Sequence, residues 1–447
     1  MAMNRVGIFQ DPSLNYSLWA SLRSAHSPSL SILTWLSLFG YLIALALTQT
    51  TYNQPFMTSR WIMLGIFTAS GFADMILVAA RGGYRLGFGN GQILAIYLLA
   101  TFSSVIYAEN WLFSGMRWAS HALMLLVLLL IFPQIVTLKQ IRILLAVLKY
   151  LLAALVVVSW LSPAPVTVLD NNTLYKGVMG NANSMGHIAF LTAILFLQSA
   201  IIARKPWVRY FSGAFAVAAM ITIWNSGARS SMTAFSVGML LLLYFYRKEM
   251  KGLALIGILL GSAAMVSYPQ LPHEIFRFAQ KSVQSEKSVS FDPIQSRAPV
   301  WSASYAGFKK RPLFGWGFGA DSNIAKEWEI KLSAIGMVER DAVNDFLFML
   351  EGCGIIGLGA YLLLIYIILR QRPSKLQSTI LKNFSHDGAS DSGIMALHHA
   401  HAILFILPVC LLVLNQFDNS ALSAGNLISV TLWLCTGCAA VIRREIS

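Results

Sequence analysis

The amino-acid sequence predicts an all-α polytopic membrane protein, and three observations carry that prediction. Of 447 residues, 56% are hydrophobic and only 12% charged, whereas a soluble domain carries about 25% charged residues. Apolar runs recur along the chain at the length of about 20 residues that a bilayer-spanning helix needs. Lys and Arg collect in alternate connections between those runs, the distribution that sets orientation in a membrane.

Twelve spans follow in order: 31–49, 61–80, 92–108, 118–136, 143–162, 187–203, 207–224, 230–246, 252–268, 345–369, 399–417 and 420–442. Residues 1–30 are mixed and polar, with no apolar stretch followed by a small-residue cleavage site, so no removable signal peptide is expected and the first span stays as an anchor. This segment is read as cytoplasmic, followed by spans one to nine over 31–268, a large outer loop over 269–344, spans ten to twelve over 345–442 with an inner loop at 371–398, and an inner tail at 443–447. The inner loop is rich in Ser, Asp and Gly and is expected to be mobile.

Orientation follows from the basic residues. With the N-terminus inside, the inner face holds Arg5, Arg23, Arg81, Arg85, Lys139, Arg142, Arg204, Lys205, Arg209, Arg247, Lys248, Lys251, Arg370, Arg372, Lys375, Lys382, Arg443 and Arg444. The short outer loops hold Arg60, Arg117, Lys176 and Arg229. Much of the net charge of +14 is therefore a topology signal, and the partner it implies is the lipid bilayer and not nucleic acid. The outer loop 269–344 also carries ten basic residues and the tryptophans Trp301, Trp316 and Trp328, a composition that predicts a folded helical cap. Four cysteines in so long a chain give no disulfide framework.

Three outer-face segments can carry chemistry. In KGVMGNANSMGHIAF, Lys176 to Phe190, the residues Lys176, Asn181, Asn183 and His187 stand just before span six, where exposed N–H groups of a helix start favour an anion and where Asn181 and Asn183 can equally act as caps. In WNSGARSSMTAF, Trp224 to Phe235, a tight turn sets Arg229 beside Ser230 and Ser231; guanidinium pairs with phosphate oxygens, and snorkelling to lipid headgroups is the alternative. In the large loop, Arg297 and Trp301 share a face of a helix ending at Lys309, Lys310 and Arg311. PLFGWGFGA then turns around Trp316, its glycines Gly315, Gly317 and Gly319 letting backbone approach a ligand or another helix. GWGFG has neither Walker nor Rossmann spacing, so nucleotide binding is not supported. Beyond the loop, Asp341, Asn344 and Asp345 stand at the start of span ten, where caps are common, and Glu351 falls about two turns into the apolar run.

Two smaller clusters read as structural. HHAH, His398 to His401, lacks a partner carboxylate at fixed spacing and suits an interfacial surface. CTGC, Cys435 to Cys438, lies inside an apolar span, where small residues at that spacing pack helices.

Taken together, GNANSMG, SGARSS, SRAPVW with PLFGWGFGA, and VNDFLFMLEGCGIIGL resemble the O-antigen ligase and Wzy-type polymerase superfamily of bacterial envelope enzymes, best over residues 176–362. The first 170 residues share only hydrophobicity with it. The resemblance implies a GT-C-like inner-membrane glycosyltransferase with a periplasmic active site that uses undecaprenyl-diphosphate-linked glycan, no nucleotide sugar and no cofactor. Arg229 and Arg297 match the arginines that engage the diphosphate. Where many relatives have a His-Asn pair, this chain has Val343-Asn344, so the base comes from Asp341, Asp345, Glu339, Glu351 or His187, or the hydroxyl is activated mainly by position. The implied activity is a polymerase joining repeat units by inverting, metal-independent transfer; the alternative is a ligase moving polymer to lipid A-core or another acceptor glycan. A chain-length regulator is a candidate partner. From another class, a transporter of lipid-linked glycan would place charges within both halves, whereas spans one to five hold few apart from Asp74.

Overall fold

The computed structural model describes residues 31–51, 53, 56–80, 88–162, 166–169, 172–247, 249–250, 293–319, 344–373, 391–417 and 422–446. Within them the chain is an all-α polytopic membrane protein. Its helices are α1 (Ile32–Thr48), α2 (Phe56–Ala80), α3 (Phe88–Ile106), α4 (Trp111–Ile135), α5 (Leu138–Trp160), α6 (Ala182–Ile202), α7 (Pro206–Ser226), α8 (Arg229–Phe245), α9 (Pro293–Lys310), α10 (Asp345–Arg370), α11 (Asp391–Leu414) and α12 (Leu427–Ile446). Eight are long and apolar enough to cross a membrane, and the apolar parts of α1, α3 and α8 are shorter. Eleven of the twelve spans read from hydropathy thus correspond to helices, while 252–268 lies outside the described residues. Helix is the form such runs must take, because lipid offers no partner to a free peptide N–H or C=O. The outer-loop segment ending at Lys310 is helical too, as α9.

Local chemistry sets the ends. Thr137 and Gln140 form a reciprocal cap at α5, with Thr137 N–H donating to Gln140 Oε1 (2.9 Å) and Gln140 N–H to Thr137 Oγ1 (3.4 Å). Gly227, at φ 65°, ends α7 in the left-handed conformation. Asp74 has a structural role: its carboxylate accepts from Thr34 Oγ1 (2.7 Å) and from Ser31 N–H (2.9 Å), placing negative charge at the positive end of α1. α4 widens into a π turn at Leu126–Ile131, just before Pro133, which has no N–H to continue the ladder. Gly437, within the CTGC run, packs there: a Cβ on it would lie 2.1 Å from Leu128 O.

The structure departs from the hydropathy reading in three places. A two-stranded antiparallel hairpin, β1 (Val166–Leu169) and β2 (Asn172–Tyr175), with Val166 opposite Tyr175, precedes α6; its strands are too short for a hydropathy window. α11 begins at Asp391, inside the loop expected to be mobile, whose residues 374–390 lie outside those described. α12 begins at Leu427 and not near 420, because Asn426 Oδ1 accepts from Ile428 N–H (2.9 Å) and starts the helix there. Of the HHAH run, His401 is buried with Nε2 2.8 Å from Gln371 O, while His398 and His399 are half-buried, as suits an interfacial position, His399 stacking on Tyr246.

Connections alternate between two ends. At one, Gly180 N–H donates to Gln49 O (2.8 Å), Gln49 to Asn426 Oδ1 (2.9 Å) and Arg60 to Gly425 O (3.0 Å), joining the α1–α2 turn to the starts of α6 and α12. At the other, Gln198 donates to His399 O (2.8 Å), Arg372 to Tyr244 Oη (2.7 Å) and Arg444 to Pro133 O (3.0 Å). α6 and α12 are the most enclosed helices, and α7 lies at the periphery, packed on α6.

Candidate functional site

Two assemblies form at the first end of the bundle, one around α8 and one around α10. The first joins two of the segments singled out above. The strand-like stretch before α6 is pinned to the end of α1, with Thr51 N–H donating to Val178 O (2.9 Å) and a bridge from Thr50 to Met179. Asn181 caps α6 by accepting from Ser184 N–H (2.7 Å); Asn183 is exposed, Lys176 half-buried and His187 buried. Gly186 then faces the α7–α8 turn so closely that a Cβ on it would lie 2.3 Å from Ala228 Cβ, 2.8 Å from Ser226 Oγ and 3.0 Å from Ser231 Oγ. No other residue type fits there.

That contact presents the start of α8. Ala228 precedes the helix and gives it no side-chain cap, so the first-turn N–H groups, Arg229 and two serines share one spot. Ser230 and Ser231 are buried, Arg229 is half-buried, and Ser231 Oγ has no hydrogen-bond partner among the described residues. An uncapped helix start beside a guanidinium is chemically able to hold an anion. The hairpin covers one side: Leu174 lies against Gly227, and burial pushes the nearby Tyr175 hydroxyl above its ordinary pKa.

The second assembly is an interlock between the glycine-rich strap and α10. The helix is broken at Gly354, at φ 65° and ψ −166°. Such a break frees carbonyls before it and N–H groups after it, and within a bilayer both need protein partners. The strap supplies them. Trp316 N–H donates to Glu351 O (3.1 Å) and Gly317 N–H to Gly352 O (2.8 Å); Ile355 N–H donates to Pro312 O (2.9 Å) and Ile356 N–H to Leu313 O (3.5 Å). The backbones touch: a Cβ on Gly354 would lie 2.2 Å from Leu313 O, and one on Gly315 2.4 Å from the carbonyl carbon of Gly352.

The strap is held from behind by the start of α4 and the turn that precedes it. Ser114 Oγ donates to Phe318 O (3.1 Å) and Arg117 to Gly319 O (2.7 Å). Arg311 stacks on Trp316 at 4.1 Å and donates to Tyr107 O (3.1 Å) and to the Glu109 carboxylate (3.3 Å). The Trp316 indole donates to Gly307 O (2.9 Å). Arg311 and Trp316 are thereby engaged in building the strap, while Lys309 and Lys310 are exposed, Lys309 lying over Tyr305. Trp301 sits on α9, which packs on α10, and its indole N–H is buried without a hydrogen-bond partner among the described residues.

At the start of α10, Asn344 caps the helix: its Oδ1 accepts from Phe346 N–H (2.8 Å) and Leu347 N–H (3.1 Å), and its Nδ2 donates to Gln416 O (2.9 Å). Asp345 is fully buried, its N–H on Asn415 O (3.1 Å) and its Oδ2 accepting from Tyr361 Oη (3.1 Å). Glu351 is also buried, and its Oε1 has no hydrogen-bond partner among the described residues. Asp341, Glu339 and Val343 lie outside the described residues, and Arg297 lies on α9 where the backbone alone is described.

Residues 214–362 match the family model described as O-antigen ligase. Over this segment, about a third of its length, the chain is similar to the O-antigen ligase family. The family segment runs from within α7 through α8 and α9 into α10, and so takes in the uncapped start of α8, the strap and the broken helix, while Lys176 to His187 precede it. No curated protein matches the chain. The match supports an activity of the ligase or polymerase type, and the apolar helices support a multi-pass membrane protein. What the sequence reading did not identify is the break itself and the cradle of Ser114, Arg117, Tyr107 and Glu109 beneath the strap. The signal was present in Gly352 and Gly354, two glycines flanking Cys353 just after a buried acid within an apolar run.

Proposed function

We propose that this protein is a member of the O-antigen ligase family and a polysaccharide polymerase that joins undecaprenyl-diphosphate-linked repeat units on the periplasmic face of the bacterial inner membrane. The observation that supports it best is the start of α8, where Gly186 packs against the α7–α8 turn and sets Arg229 beside two buried serines at an uncapped helix end. Such a site suits the diphosphate of a lipid-linked sugar. An acceptor hydroxyl attacks the anomeric carbon, the new glycosidic bond forms as the bond to the diphosphate breaks, and the electron pair leaves with the diphosphate. Positive charge fixed where that negative charge develops lowers the barrier. Arg229 supplies it in this reading, together with Arg297 from α9, and with guanidinium groups in place the reaction requires no metal ion. Direct displacement inverts the anomeric configuration.

The orientation follows the same line. Arg204, Lys205, Arg247, Arg370, Arg372, Arg443 and Arg444 all stand at the end of the bundle opposite Arg229, which supports cytoplasmic termini and an outer active site.

The test is reconstitution of the purified protein with a synthetic lipid-diphosphate repeat unit and mass spectrometry for dimers and longer products. Arg229→Ala and Arg297→Ala, present in the membrane at normal level, are expected to abolish product; unchanged polymer from both refutes the reading. The family description favours a second reading, ligation of finished polymer to lipid A-core or another acceptor. Lipid-linked products in cells lacking the protein separate the two: single repeat units accumulate if it polymerises, long undecaprenyl-linked polymer if it ligates.

A further inference from the structure

The interlock satisfies the backbone on both sides of the α10 break, yet it leaves one polar group unused. All four exposed peptide groups find partners across Pro312–Gly317, and the Cys353 thiol lies 3.3 Å from Ser104 Oγ. The exception is the Glu351 carboxylate. It is 7% exposed, in the first half of a membrane-spanning helix, and its Oε1 makes no hydrogen bond among the described residues. A buried carboxylate oxygen without a partner is costly in a membrane helix, and where one persists it commonly serves a ligand or a proton. A glutamine or leucine would fill the space without that penalty.

We propose that Glu351 is the general base of the transfer reaction, accepting the proton of the attacking hydroxyl. The inference rests on the glycosyl-transfer reading and adds to it the acceptor side of the site. Three further observations support it. The Glu351 main chain is fixed by the bond from Trp316, so the side chain projects from rigid backbone, as a preorganised base must. Other polar groups nearby on α10 are committed, Asp345 to Tyr361 and Asn344 to the helix cap and Gln416. And α10 packs against α9, the helix that carries Arg297, which brings the element bearing the base and an element bearing a cation together. In the step, the acceptor oxygen bonds to the anomeric carbon as the diphosphate departs with its electrons, and the hydroxyl proton passes to Glu351 Oε1 and from there to water.

The test uses the full-length protein in lipid nanodiscs with the synthetic lipid-diphosphate repeat unit. A positioned base contributes about 100-fold or more, so Glu351→Gln is expected to lower kcat by about that factor with little change in the KM for lipid donor. Glu351→Gly with added formate restores part of the rate if a carboxylate is what is missing; this arm also covers a Glu351→Gln variant that folds poorly. Glu351→Asp, which keeps a carboxylate, retains part of the rate that Glu351→Gln loses. A Glu351→Gln protein with kcat close to wild type, or a Glu351→Gly protein that melts like wild type and gains nothing from formate, overturns the proposal while leaving the reaction reading intact. A wild-type protein inert toward the donor in this assay overturns the reaction reading, and Glu351 with it.

Discussion

Gly354→Ala tests the interlock most directly. The native residue sits at φ 65° and ψ −166°, a region open in practice to glycine alone, and forcing another residue into it costs about 1 to 3 kcal/mol. The methyl would also lie 2.2 Å from Leu313 O and 2.7 Å from Phe314 N, both main-chain atoms that cannot swing aside. The strap must retreat, which breaks the bonds from Ile355 and Ile356 to Pro312 and Leu313. Each lost bond contributes about 1 kcal/mol, and more where it leaves a buried group unsatisfied. The sum is a destabilisation of roughly 3 to 7 kcal/mol. Gly359, one turn further along the same helix, is the control: a Cβ there meets nothing within 4 Å, and alanine in a helix interior is favoured over glycine by up to about 1 kcal/mol. The four cysteines, Cys353, Cys410, Cys435 and Cys438, are all buried, so a thiol-reactive fluorophore reports opening during a thermal ramp in detergent. Gly354→Ala is expected to label at markedly lower temperature and to lose activity, and Gly359→Ala to match wild type. Coincident melting of all three proteins with retained activity would refute the interlock.

Two further outcomes can be checked in the same preparations. Gly186→Val places a branched side chain into the Ala228 contact, so it should separate α6 from the start of α8 and abolish product formation, whereas the same change at Gly213, where a Cβ meets nothing within 4 Å, should leave activity intact. Asn344→Ala removes a cap that accepts two N–H groups and should lower stability by about 1 to 2 kcal/mol; Asn344→Asp, which retains the acceptor, should recover most of the lost melting temperature.

Much of the architecture was readable in advance because lipid imposes it: a run such as 187–203 has no alternative to helix in a bilayer, and Arg370 and Arg372 announce which end they occupy. The caps at Asn181 and Asn344 were legible for a similar reason, since short amide side chains satisfy the first free N–H groups of a helix. The break in α10 was not, because hydropathy averages over Gly354 and sees an unbroken apolar stretch. Its cause lies elsewhere in the sequence, in Pro312–Gly317, and only tertiary structure brings the two together. Arg311 shows the same effect in reverse. A basic residue in an outer loop reads as a ligand contact, yet its guanidinium is taken up by Trp316, Tyr107 and Glu109, two of which precede it by about 200 positions.

The interlock also dictates an order of assembly during synthesis. α4 and the turn that precedes it, which cradle the strap, leave the ribosome before it, and α10, which receives it, leaves after. The groove for Pro312–Gly317 does not exist until both halves of α10 are in place, so a segment synthesised earlier has to seat itself late. A chain terminated before Asp345 would therefore lack the α10 half of the interlock, against which the strap residues Trp316 and Phe318 are both buried in the finished protein.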